Sequence, residues 1–297
     1  MIKPTLTLLC LIFLLPMASE AQRKKKSKTY PVYDVPKRPS ANESFLKTQW
    51  WLGFKAGANS TAASPETRFS GFSPINYNAT ENEKSYEDYE GVTGHAGLEI
   101  TFYHHGWSFS LQPNYRRQQF TYGNDYTWEE TNNPDNSLVL DYSQNHLLDY
   151  IELPFFIKYD ITQTSFRPFI QIGAYYATLV NAQKSVKISG TDFASGNAGP
   201  FETQELIIGA NDLFLKSSTG LAGGIGFSYD FWNVRLVFDA TYRYGLNNVV
   251  DVKNRYAINE LASIGDAMDD IMLKNISVSI GCVFPLRFIS EGYQSTN

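Results

Sequence analysis

The sequence predicts an all-β chain folded as an eight-stranded antiparallel up-and-down transmembrane β-barrel with long extracellular loops and short periplasmic turns. Three observations predict it. From about residue 50 onward, apolar and polar residues alternate in stretch after stretch, and period two marks a strand with one face against a nonpolar phase. The connections alternate in length: 59–91, 121–145, 181–212 and 247–271 are long, and those near His104–Gly106, Asp160–Ser165 and Asp230–Phe231 are short. A membrane barrel has tight turns on one side only. Aromatic residues make up 15% of the chain, with 19 Tyr and 20 Phe, and a barrel in lipid needs an aromatic girdle at each interface.

The elements follow in order. Residues 1–21 read as a signal peptide: Lys3, an apolar run over Leu6–Met17, and Ser19-Glu20-Ala21 before Gln22. That run is shorter than the roughly 20 residues of a spanning helix, and no other apolar stretch reaches that length. Residues 22–48 hold eight basic residues against Asp34 and Glu43, with Pro31, Pro36 and Pro39 between them. Such a composition cannot bury enough apolar surface to order itself, so a flexible basic periplasmic tail is expected. The barrel is expected over 49–288, and a short periplasmic C-terminal tail over 289–297. With Cys10 in the signal, Cys282 stands alone, which leaves neither an intramolecular disulfide nor a cysteine metal site.

Eight stretches carry the alternation. Leu52, Phe54, Ala56 and Ala58 share a face in 50–58, as do Ala96, Leu98, Ile100 and Phe102 in 95–103. Over 107–119 the contrast is sharpest, with Trp107, Phe109, Leu111 and Tyr115 opposite Ser108, Ser110, Gln112, Asn114, Arg116 and Gln118. The same holds for 150–159, 166–176, about 213–229 (rich in glycine), 234–244 and 275–287. These stretches often exceed the 9–11 residues that cross a bilayer at a tilt, and their apolar stripes end in Trp107, Tyr159 and Tyr244, residues suited to an interface. The apolar face is therefore expected to meet lipid, in a Gram-negative outer membrane with both termini periplasmic. Ile258, Leu261, Ile264, Met268 and Ile271 have helical spacing, which predicts a short helix at the rim.

The polar faces place Lys55, Arg116, Lys158, Arg167, Arg235 and Arg243 in the lumen with Glu99, Glu152 and Asp239. A barrel of eight strands is just wide enough for side chains to fill, so these charges are expected to pair as a structural core. An ion path with an anion bias is the alternative. A rim enzyme would need a histidine beside a nucleophile, and His146 with Ser143 and Asp149 is the nearest arrangement. No nucleophile-elbow pattern accompanies it, so no enzyme and no cofactor are expected. The acidic residues Glu81, Glu83, Glu87, Asp88, Glu90, Glu129, Glu130, Asp269 and Asp270 lack calcium-loop spacing and read as solvated surface charge. The mild net charge of −5 argues against nucleic acid. Expected partners are outer-membrane lipids and lipopolysaccharide, with a periplasmic protein or cell-wall component on the tail, and the barrel is expected to be monomeric.

Several strand sequences resemble a known family. Leu52-Gly53-Phe54-Lys55-Ala56-Gly57-Ala58-Asn59 is similar to the first strand of PorT-family outer-membrane barrels, common in Bacteroidetes. Tyr150-Ile151-Glu152-Leu153-Pro154-Phe155-Phe156-Ile157-Lys158-Tyr159 resembles a later strand of that family, and Arg167-Pro168-Phe169-Ile170 the one after it. Tyr242-Arg243-Tyr244-Gly245-Leu246-Asn247-Asn248 resembles its seventh-strand ending. The resemblance covers about residues 50–288 and implies a barrel. It also raises secretion or gliding machinery, in which the founding member is implicated. The sequence thus leaves three roles: structural or interaction barrel, apparatus component, or narrow channel.

Overall fold

The computed structural model describes residues 48–69, 84–162, 164–194, 199–231, 234–255 and 267–286. The expected signal peptide, all of the basic tail but Thr48, and the C-terminal tail lie outside these residues. Twelve strands are described: β1 (Thr48–Thr67), β2 (Ser85–Glu87), β3 (Thr93–His104), β4 (Trp107–Leu111), β5 (Asn114–Glu130), β6 (Asn133–Asp160), β7 (Phe166–Asp192), β8 (Gly199–Glu202), β9 (Leu206–Gly209), β10 (Ser217–Phe231), β11 (Val234–Gly245) and β12 (Asp270–Pro285).

All pairings are antiparallel, and eight members close a ring. β1 pairs β3, β3 pairs β4 and β5, these pair β6, and the order continues through β7, β10, β11 and β12 back to β1. β4 and β5 count as one strand, because Ile100 opposite Leu111 and Gly97 opposite Asn114 keep a single register. Pro113 separates them, having no N–H to give the ladder, although its carbonyl still accepts from Leu98 at 2.9 Å. Closure leaves the ring no free edge, which hydrocarbon requires.

The ring is turned inside out relative to a soluble protein. Outward side chains are large and apolar, with Phe54, Ile172 and Ile225 more than 65% exposed, while inward Arg116 and Glu152 have no exposed surface. An apolar belt of that extent belongs in lipid. Trp107 and Tyr159 lie on its edge at the short-turn end with ring centroids 4.7 Å apart, and Tyr244 marks the opposite edge.

Three expectations need correction. Residues 121–145 and 181–192 are not loops. β5 and β6 stay paired from Asn114 opposite Glu152 to Glu130 opposite Asn133, and β6 stays paired with β7 as far as Leu138 opposite Asp192. The apolar belt takes Ile151–Tyr159 of β6, so more than half of that 28-residue strand lies beyond it. The projecting part forms a sheet with β8 and β9, each of which pairs β7. The stretch before Ser217 is no strand either: Asn211–Leu213 make a 3-10 turn that tucks Leu213 and Phe214 inward. The rim helix over 258–272 lies mostly outside the described residues, and its last residues, from Asp270, belong to β12.

Candidate functional site in the barrel lumen

Because successive side chains of a strand point to opposite faces, every second residue of eight strands converges on the barrel axis. All nine charged residues expected in the lumen are buried there: Lys55, Glu99, Arg116, Glu152, Lys158, Arg167, Arg235, Asp239 and Arg243. They sort into three tiers.

At the short-turn end, Arg235 holds Asp230 through two nitrogens at 2.5 and 3.1 Å and lies over the Trp51 ring at 4.2 Å. Arg167 contacts the same carboxylate at 2.9 Å, donates to the Tyr103 hydroxyl at 2.9 Å, and stands 3.8 Å from Asp160. In the middle, Lys158 pairs Glu99 at 2.6 Å and Lys55 pairs Asp239 at 2.6 Å. The Thr101 hydroxyl donates to Glu99 at 3.1 Å, and that of Thr241 donates to Asp239 at 3.1 Å. In the third tier, Arg116 Nε donates to Glu152 Oε2 at 2.9 Å, and Arg243 Nε lies 3.8 Å from the same oxygen. Arg116 also donates to Asn59 and Asn275, and Arg243 to Ser277 at 2.7 Å.

Asp160 and Asp230 were missing from the expected set because they stand at turns, where alternation gives no face. With them, six cations meet five carboxylates, so the excess of positive charge behind an anion bias nearly disappears. The spaces beside the network measure about 20 Å³ near Lys158 and about 10 Å³ near Arg116. Each is close to the roughly 10–15 Å³ that one water needs.

Beyond the third tier the interior becomes apolar. Phe120 stacks on His146 at 4.8 Å, and Tyr122 and Phe214 approach the same ring at 5.4 and 5.7 Å. Leu148, Tyr150, Leu213, Val250, Met268 and Ile271 complete this plug. His146 is therefore enclosed rather than placed at a rim, and Ser143 lies on the opposite face of β6. His95 is also buried, with Nε2 2.9 Å from the Ser279 hydroxyl.

Above the plug, Lys84 donates to the carbonyls of Phe69 and Ala267 at 2.9 and 2.5 Å and to Asp269 at 3.0 Å. The Tyr86 hydroxyl donates to the other Asp269 oxygen at 2.9 Å. Asp269 is thus buried, against the expectation of solvated charge, and Asp270 pairs with Arg255. Glu87, Asp88, Glu90 and Glu129 are exposed, Glu130 is half-buried and accepts from Asn136, and Glu81 and Glu83 lie outside the described residues. Among the described residues, no three His, Cys, Asp or Glu side chains gather as a metal site.

The arrangement is a laterally closed wall around paired charges, sealed at one end by an aromatic plug. Ail, the attachment invasion locus protein of Yersinia pestis, is similar at 12% identity, with 80% of this chain and 99% of that one covered and a TM-score of 0.28. OprG from Pseudomonas aeruginosa is similar at 14%, with 80% and 96% covered and a TM-score of 0.37. Neisserial surface protein A is similar at 14%, with 80% and 98% covered and a TM-score of 0.30. None of the curated proteins matches. The family described as outer membrane protein beta-barrel domain matches residues 25–251. With that match over most of its length and a closed ring of eight strands with an apolar exterior, the chain belongs to the outer membrane protein beta-barrel domain family.

Proposed function

We propose that this outer-membrane barrel is a non-enzymatic, non-conducting mount whose work is interaction at its long-connection end. The single observation behind the reading is the filled interior: three tiers of ion pairs beneath an apolar plug, with cavities of one-water size between them. A filled barrel of this size offers no route for solute. The short turns are assigned to the periplasm and the projecting sheet to the exterior, as usual for such barrels. Outer-membrane lipid and lipopolysaccharide surround the belt, and residues 22–47 supply a basic periplasmic contact. Reconstitution of the full chain into planar bilayers tests the reading: no conductance steps above baseline are expected, and discrete steps would overturn it.

A second reading is favoured by the strand sequences, above all Tyr150–Tyr159, which resemble the PorT family of Bacteroidetes. On it, the barrel is a fixed component of a secretion or gliding apparatus. Deleting the basic tail then abolishes recovery of a periplasmic partner and reduces secretion; full secretion without the tail rejects that role.

A further inference from the structure

The sheet that projects beyond the apolar belt ends in free edges, and they differ in how they are protected. An unpaired edge is a template for another strand, and proteins usually blunt it with charge or proline. β5 has no ladder partner on its outer edge from Asn124 to Glu130 among the described residues, and Asp125, Glu129 and Glu130 lie along it. β8 carries Pro200, which has no N–H, and Glu202. β9, Leu206-Ile207-Ile208-Gly209, carries neither charge nor proline.

β9 pairs only β7 among the described residues, with Ser185 opposite Ile207 and Gln183 opposite Gly209. Ala210 N–H donates to the Ala182 carbonyl at 2.8 Å, which fixes the phase of this ladder. Hydrogen-bonded and non-bonded pairs alternate along an antiparallel ladder, so Leu206 and Ile208 direct their amides toward β7 while Ile207 and Gly209 direct theirs to the open side. The side chains are open as well: Leu206 is 51% exposed and Ile207, on the other face, 61%. Among the described residues, this strand leaves two amides without a ladder partner and both apolar faces wet.

Charge indicates what fits there. Residues 121–145 and 181–209 carry eight carboxylates against two lysines. Lys184 is buried and Lys187 is tied to Glu202, so the exposed field of the sheet is acidic.

We propose that β9 is a docking edge for a basic, extended polypeptide segment, which joins the projecting sheet as a further strand. Main-chain hydrogen bonds to Ile207 and Gly209 supply the anchorage, apolar side chains on one face of the segment cover Leu206 or Ile207, and lysines or arginines on its other face meet the surrounding carboxylates. The proposal deepens the interaction reading by naming a surface and a partner chemistry, and its test is independent of conductance.

The test measures fluorescence anisotropy of labelled ten-residue peptides with the full chain in detergent micelles. A peptide alternating Val and Lys is expected to bind at least tenfold tighter than one alternating Val and Glu, and tenfold tighter than one alternating Pro and Lys, which has the same charge but cannot pair. Ile207→Pro removes an outward amide and leaves the bonds to β7 in place, so it should weaken the Val–Lys peptide at least tenfold; Ile207→Thr, which keeps the amide, should bind nearly as the native chain does. Heat-modifiable gel migration verifies that each variant is folded. Equal binding of the Val–Lys and Pro–Lys peptides overturns the proposal. So does self-association of the native chain that Ile207→Pro abolishes, since the edge would then be filled by a second copy.

Discussion

Glu152 sits where the barrel has least tolerance for a lost charge. Its carboxylate has no exposed surface and lies 2.9 Å from Arg116 and 3.8 Å from Arg243. At an effective dielectric of about 20, a unit pair attracts by about 6 kcal/mol at the shorter distance and about 4 kcal/mol at the longer. Burying three charged groups cancels much of that, so the trio as a whole is no large stabiliser. Removing one member is different, because two guanidiniums then stay buried without their counter-charge, at a cost of about 3–5 kcal/mol. Glu152→Gln keeps the volume and removes the charge. Urea titration of the barrel refolded into lipid vesicles, followed by heat-modifiable migration and tryptophan fluorescence, should show a loss in that range. A cycle with Arg116→Met should show the double variant costing less than the two singles combined by about 1 kcal/mol or more. A loss below about 1 kcal/mol for Glu152→Gln would refute the reasoning, since the two guanidiniums would then have to be hydrated in a wet lumen.

Three further outcomes test the wall and its upper margin. Leu236 faces outward opposite Tyr229 and Cys282, so Leu236→Arg should cost about 2–4 kcal/mol on the same assay if the belt is in lipid, and normal assembly would reverse the faces. A Cβ at Gly97 would stand 2.2 Å from the Pro113 carbonyl and 2.5 Å from the Asn114 Cα, both backbone atoms. Gly97→Ala should therefore spread β3 from β5 and cost about 1–3 kcal/mol, read as slower folding and a lower urea midpoint. Above the belt, Arg117 bonds Asp149 through two nitrogens at 2.7 and 3.0 Å and holds that carboxyl below its ordinary 3.8. A lowered carboxylate stabilises the fold above the unfolded value and loses that contribution as pH falls. The native chain should lose slightly more stability than Asp149→Asn below about pH 4, an effect kept small because Arg117 is half exposed.

The spanning half of the fold was legible because lipid enforces it. A residue there faces hydrocarbon or the lumen, and period two reports which, so Phe54 and Ile280 fell on one side and Lys55 and Arg116 on the other. Beyond the belt the inner face stays buried only as far as Tyr122, Tyr142 and Val186; past them no described side chain of β5, β6 or β7 is buried, and the pattern vanishes although the strand continues. That is why 121–145 read as loop: most of it, such as Asp125 opposite Asp141, is held by the neighbouring ladder rather than by burial. The Lys84–Asp269 pair was hidden for another reason. Its partners are 185 residues apart, and burial of each depends on a contact that no local pattern encodes. The prolines misled least, since Pro113 separates β4 from β5 without changing their register and Pro154 stays paired within β6, opposite Tyr175.

The same division says where function can reside. In the spanning half of β6 each side chain is committed, Ile151, Leu153 and Phe155 to the outer surface, and Glu152 and Lys158 to partners across the lumen. Substituting any of these strains assembly before it alters recognition. Past Tyr122, Tyr142 and Val186 neither commitment holds, and the backbone ladder keeps the strands in place. Residues 121–145 carry five carboxylates and no lysine or arginine, a bias that neither lipid nor packing demands. Trp128, Val139 and Phe193 are each at least 40% exposed in the same projecting region. Exposed aromatics in an acidic field on a rigid sheet serve the barrel's own stability poorly and suit a partner that is basic and partly apolar. The barrel below supplies what such a surface needs: a closed, non-yielding base that fixes the edge of β9 in position before the partner arrives.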